Sequence, residues 1–205
     1  MFSRFPLTHS VRVPFAGSTQ GRDFVAGIIE MSENRRALKC SSHLESLGSG
    51  SFERESQLNQ ILALQYDSNV SALKPVLCLF GGDTNLKERT DGPLNLPEQW
   101  LDLWEVHHGK DGDANGATRN ADRIDRFFAS AVGFRKWWTV HDIKVVGKAT
   151  AYSQSEKRQL AGSDHLAVLV RFGFELDEAF AAAVATTDTP EKIVFKRPDG
   201  WMKYI

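Results

Sequence analysis

The chain has 205 residues, 41% hydrophobic and 25% charged, which is enough for one domain with a sizeable core and places it among ordinary soluble proteins. A formal net charge of -1 and a pI near 6.6 exclude a global positive field, so any anionic ligand must be held by a local basic cluster. No run nears the roughly 18 apolar residues of a membrane span, and the N-terminal residues lack the apolar core of a secretory signal. Cys40 and Cys78 fit no zinc-ligand spacing and read as buried reduced thiols, so the expected location is intracellular.

In chain order, Ser10 to Phe15 alternates apolar and polar residues, and Asp23 to Met31 gathers Phe24, Val25, Ile28 and Ile29. Both predict strands of a hairpin around the turn at 16–21. After a charged turn at 32–36, Ala37 to Ser42 predicts a short strand that delivers His43 at its end, with Lys39 and the Arg35-Arg36 pair on solvated surface. Phe52 to Tyr66 places Leu58, Ile61, Leu62 and Gln65 on one helical face, with Glu53, Arg54 and Glu55 near its start. The continuous apolar run Val76 to Phe80 suits a strand buried on both faces, ending in Gly81-Gly82-Asp83.

Pro97 suits the first turn of a short helix on which Trp100, Leu101 and Trp104 share a face. His107 to Ala121 reads as a loop, with His107 and His108 facing solvent. Strands are expected over Ile124 to Ala129, within Phe134 to Val146 (Trp137 and Trp138 pointing to opposite sides) and over Leu166 to Phe174. Alanine-rich Leu176 to Val184 predicts a helix, followed by a tail over 186–205.

Four polar clusters fall at strand ends or adjoining loops: Ser42-His43-Leu44-Glu45-Ser46, Gly82-Asp83-Thr84-Asn85, Asp122-Arg123-Ile124-Asp125-Arg126 and Ser163-Asp164-His165. Each alone reads as a turn whose Asp or Asn bonds its own backbone, and Asp125 between two arginines as a surface ion pair. Their order along one chain resembles the endonuclease/exonuclease/phosphatase superfamily, and within it the 5′-tyrosyl-DNA phosphodiesterases. Gly81-Gly82-Asp83-Thr84-Asn85-Leu86 and the Ser-His-Leu-Glu-Ser segment carry the likeness, joined by Asn59-Gln60 and by Leu101 to Glu105. It runs from about Phe15 to Leu169.

The resemblance implies an α/β fold, a partial DNase I-like four-layered α/β sandwich, mostly its second half. It also implies hydrolysis of a phosphodiester by an activated water with Mg²⁺ (or Mn²⁺), the substrate being DNA with a 5′-phosphotyrosyl adduct. Asp83 would orient and deprotonate the water, Asn85, His43 and His165 would bond phosphate oxygens, and Asp125 would fix the His165 tautomer. Asp164 would lie at the metal, directly or through water. Ser46, Lys87, Arg123 and Trp104 are substrate-binding candidates, as is Arg22 by its place after the first hairpin turn. The helical spacing of Trp100 and Trp104 favours a core reading over base stacking. Lys87 stands where the family has Arg, exchanging a bidentate phosphate contact for a point charge.

The superfamily's first half supplies an Asn and a metal-binding Glu, and neither motif is found here. The expectation is therefore a partial domain over 1–175 with a C-terminal helix and tail over 176–205, arising as a fragment, a degenerate paralogue, or a chain completed by a partner; the first is favoured. The alternatives to the phosphotyrosyl reading are another nuclease or phosphatase of the fold, or a non-catalytic remnant binding nucleic acid or a protein partner.

Overall fold

Period-two and continuous apolar segments form the strands as their patterns require. A computed structural model describes residues 3–32, 35–109, 116–130, 138–147, 150–153, 158–161 and 163–174. Within them β1 (Leu7–Pro14), β2 (Asp23–Ser32), β3 (Arg35–Ser42), β4 (Leu77–Asp83), β5 (Trp100–Asp102) and β6 (Asp125–Ser130) build one sheet in the order β1-β2-β3-β4-β6-β5. β3 and β4 run parallel and every other neighbouring pair antiparallel. The parallel step needs a crossover, which α1 (Ser51–Leu62) and α2 (Ser68–Ala72) supply.

Alternation divides the sheet's side chains between two cores. Phe24, Ile28, Leu38, Cys40, Cys78, Phe80 and Phe128 face Leu58, Ile61 and Leu62 of α1 and Val70 and Leu73 from α2 and its end. On the other face Ala37, Leu77 and Ala129 meet Trp138 and Ile143 of β7 (Trp138–Val146). β7 pairs antiparallel with β10 (Ala167–Phe174), whose Val168, Val170 and Phe172 point into the same core. The run that ends in Gly81 is thus buried on both faces, because Leu77 and Leu79 serve one core and Cys78 and Phe80 the other. α1 and α2, the main sheet and β7–β10 make three stacked layers among the described residues. The large mixed sheet agrees with the expected partial sandwich.

Several local expectations are corrected. The segment after Pro97 does not start as a helix: Trp100–Asp102 pairs with β6 as β5, and α4 (Leu103–His108) begins only where the Asp102 carboxylate accepts the Trp104 N–H at 3.0 Å. Propensity at Pro97 yields here to an available sheet edge. α2, α3 (Glu88–Asp91), β8 (Thr150–Ser153) and β9 (Arg158–Ala161) were not anticipated. α2 owes its start to Asp67, which accepts from Asn69 N and Val70 N. Lys39 is not on solvated surface; it is half-buried over the Phe127 ring, 5.7 Å from its centroid, and burial lowers its pKa. His108 packs against Trp104 with ring centroids 4.3 Å apart, and its Nε2 lies 3.0 Å from Ile143 O, so it is not a solvent-facing loop residue. Residues 110–115 of the anticipated loop, Trp137, the helix at 176–184 and the tail at 186–205 lie outside the described residues. No helix among those described is long and apolar enough to cross a membrane.

Candidate active site

Strand pairing and one tied loop assemble the site. The parallel β3–β4 pairing continues past β3, so His43 bridges to Asp83 and Leu44 N donates to Asp83 O at 2.9 Å. This closeness explains Gly82, where a Cβ would lie 2.1 Å from Ser42 O. The antiparallel β4–β6 register sets Asp125 directly opposite Asp83. Thr84 locks that register from the far side, its N–H and hydroxyl both donating to Ile124 O at 2.7 Å. Thr118 ties in the last loop: its hydroxyl accepts from Asp125 N at 3.1 Å and its carbonyl from Leu166 N at 2.8 Å, which brings His165 over the carboxylates.

The result is a four-residue polar cluster. His43 Nε2 lies 3.3 Å from Asp83 Oδ2, His165 Nδ1 lies 2.8 Å from Asp125 Oδ2 and 3.9 Å from Asp83 Oδ2. The Asp83 Oδ1 accepts the Asn85 N–H at 2.9 Å, an Asx turn that accounts for the positive φ of 51° at Asn85. Asn85 Nδ2 donates to Leu44 O at 3.2 Å, tying the amide to the His43 loop. Burial raises the Asp83 carboxyl above its ordinary range and Asp125 adds to this, against the Asn85 N–H and His43. Burial also lowers the His43 imidazole, helped by Arg22 and His165 against the pull of Asp83. A carboxylate of raised basicity beside hydrogen-bond donors suits proton abstraction. Asp83, Asp125 and His165 also form a group that could hold a metal ion, with ligand atoms within 4.8 Å of one another.

Of the predicted site residues, Asp83, Asn85, His43, His165 and Asp125 thus come together. Arg22 and Ser46 stand beside them, Arg22 Nη2 donating to Ser46 Oγ at 3.4 Å. A shallow groove of about 330 Å³ runs past Gln20, Arg22, Ser41, Ser42 and His43. The others are engaged elsewhere. Asp164 is 72% exposed and pairs with Arg119 at 3.0 Å. Lys87 Nζ lies 3.1 Å from Asp122. Arg123 Nη1 binds both Asp102 oxygens at 2.8 and 2.7 Å, and Trp104 is buried in the core between the sheets. The ion pairs of Arg123 and Arg126 are therefore with Asp102, leaving Asp125 to His165.

Sequence reasoning passed over Glu45, although it lies inside the Ser-His-Leu-Glu-Ser motif. It is fully buried beneath the groove. Burial alone would push its carboxyl up, but donors from Thr19, Gln57, Ser18 and the Gln20 backbone outweigh this and hold it at about 2. A carboxylate depressed in the folded state stabilises the fold above its unfolded pKa and loses that contribution as pH falls through the folded one. Glu45 should contribute about 3 kcal/mol at neutral pH, lost between about pH 4.5 and pH 2. Urea midpoints measured from pH 7 to pH 2 should fall for the wild type over that window. Glu45→Gln should start lower and fall less.

No family model matches the chain. Over 104 residues, half of this chain, it is 35% identical to tyrosyl-DNA phosphodiesterase 2 of Xenopus laevis, a stretch that is 27% of that relative's length. Its fold matches a crystal structure of humanized D. rerio TDP2 with a TM-score of 0.67 and 23% identity, over 83% of this chain and 68% of the other. D. rerio TDP2 complexed with single strand DNA product gives 0.61 at 22% identity over 83% and 69%. An endonuclease/exonuclease/phosphatase from Beutenbergia cavernae gives 0.53 at 18% identity over 83% and 45%. The chain shares the fold of these solved structures and resembles tyrosyl-DNA phosphodiesterase 2 over half of its length. The curated resemblance spans about a quarter of the relative, so the activity of the whole relative does not pass to this chain without its own test.

Proposed function

We propose that the chain is a divalent-metal-dependent phosphodiesterase of nucleic-acid repair that hydrolyses the bond between a tyrosine and the 5′ phosphate of DNA. The observation that carries this reading is the Asp83–Asp125–His165–His43 cluster, assembled by strand register at one end of the sheet. Asp83 accepts a proton from the attacking water, whose oxygen forms the new bond to phosphorus. The bond from phosphorus to the tyrosyl oxygen breaks, leaving a 5′-phosphate on DNA and a phenolate, a fair leaving group because its conjugate acid has an ordinary pKa of about 10, which then takes a proton from solvent. As an imidazolium, His165 donates from Nδ1 to Asp125 and from Nε2 to a phosphate oxygen. His43 and the remaining Asn85 N–H donate to the others, and Arg22 and Ser46 bind the flanking strand.

The donor set fits a hard divalent ion such as Mg²⁺, with Mn²⁺ as a substitute. Asp83 and Asp125 retain free carboxylate lone pairs after their hydrogen bonds, and Mg²⁺ commonly takes one or two carboxylates with water and substrate phosphate. Those two residues would hold it, with Asp164 reaching it through water, and the ion would neutralise charge on the non-bridging oxygens. The resemblance to TDP2, one structure of which contains a single strand DNA product, supports DNA as the substrate class. Nucleus and/or cytoplasm is the location that goes with it.

Single-turnover release of tyrosine from a 5′-tyrosyl single-stranded oligonucleotide tests the reading. Turnover is expected with Mg²⁺, recovery with Mn²⁺ and none in EDTA. Cleavage of other phosphoesters but not this one would move the chain to another nuclease or phosphatase activity. Binding without turnover of any would leave a non-catalytic remnant.

A further inference from the structure

The buried Glu45 carboxylate accepts from each of the three residues 18–20 of the preceding turn. Ser18 Oγ donates to Oε2 at 2.8 Å, Thr19 N and Gln20 N to Oε1 at 2.9 Å each, and the Thr19 hydroxyl to Oε1 as well. From the helix side Gln57 Nε2 donates to Oε2 at 3.0 Å, and Gln57 Oε1 accepts the Glu45 N–H at 2.8 Å. The turn so held is the one that reaches the groove. Ser18 Oγ accepts Arg22 N at 2.8 Å. Gln20 Oε1 gathers Ser46 N at 3.0 Å, Ser46 Oγ at 2.8 Å and Arg22 Nη2 at 2.9 Å. Arg22 in turn is close enough to act on the charge of His43.

We infer that Glu45 is a positioning residue: it anchors the turn at 18–20 and, through Gln20, holds Arg22 and Ser46 as a rigid anion-binding edge beside His43. The identity of the anion as a phosphate of a nucleic-acid strand rests on the phosphodiesterase reading, but the relay does not. An acceptor-only carboxylate is required because all the side-chain partners present donors; an amide at this position would set its own N–H groups against them. Fixing Arg22 before the ligand arrives removes the cost of ordering a long side chain on binding.

The test compares the full chain with Glu45→Gln and Gln20→Ala by amide hydrogen exchange and by phenylglyoxal labelling of Arg22, read by peptide mass. Glu45→Gln should raise exchange at Thr19, Gln20 and Arg22 and speed Arg22 labelling about tenfold, the equivalent of one charge-assisted hydrogen bond. Amides of β4 and β6 should keep their protection. Gln20→Ala should free Arg22 and Ser46 while Thr19 stays protected. Exchange rising equally in β4 and β6, or unchanged Arg22 labelling, would overturn the relay and leave Glu45 as general support. Affinity for a 5′-phosphorylated single-stranded oligonucleotide in EDTA separates the two readings. No binding by the wild type defeats the nucleic-acid reading while labelling still decides the relay, and equal binding by wild type and Glu45→Gln defeats the inference alone.

Discussion

Asp83→Asn is expected to lower the single-turnover rate on a 5′-tyrosyl oligonucleotide about a thousandfold, within the range that general-base catalysis supplies. The substituted amide can still accept the Asn85 N–H through its oxygen, so the Asx turn and the positive φ at Asn85 should persist. What it cannot do is accept a proton from water. Equal unfolding midpoints for the two proteins would assign the loss to chemistry and not to folding.

Arg54→Met is expected to cost about 3–5 kcal/mol of stability, the range for breaking a buried ion pair from one side. The side chains of Arg54 and Asp91 are only 2% and 4% exposed. Arg54 Nε lies 3.2 Å from Asp91 Oδ1, with a second contact from Nη2, while Nη1 donates to Glu45 O at 3.1 Å and Leu47 O at 2.6 Å. Methionine would fill most of the volume but strand a buried carboxylate and two carbonyls. Against a total of some 5–15 kcal/mol for a domain, that is a large share. Arg12→Met is the control: Arg12 also pairs with a carboxylate, Asp23, yet is 75% exposed, and its loss should leave the midpoint close to that of the wild type. Urea midpoints of the two variants should differ in that order, and equal midpoints would show that burial does not set the value of these pairs.

Burial also explains what could be read from the chain and what could not. The strand at 76–80 announced itself because both of its faces are apolar, and the chemistry-bearing ends of β3, β4 and β6 followed from motifs at those ends. Their convergence depends on register, which joins residues 40 or more apart and leaves no local trace; the pairing of Asp125 with His165 entered only through family likeness. The buried roles of Arg54 and Glu45 could not be read because single residues do not reveal their partners. Each is satisfied by groups distant in sequence or by backbone atoms that have no letter in the sequence. Lys87, Arg123 and Trp104 show the reverse, with family position pointing to substrate while Asp122, Asp102 and the core engage them here.

A double-mutant cycle on Asp125→Asn and His165→Gln tests most directly whether the proposed cluster acts as a unit. Groups that work only together lose most of their effect when either is removed. If Asp125 acts through His165, the double variant should turn over a 5′-tyrosyl oligonucleotide in Mg²⁺ no more than a few-fold slower than the worse single variant. Rate losses that multiply would mean that the two residues act independently, and would contradict the account.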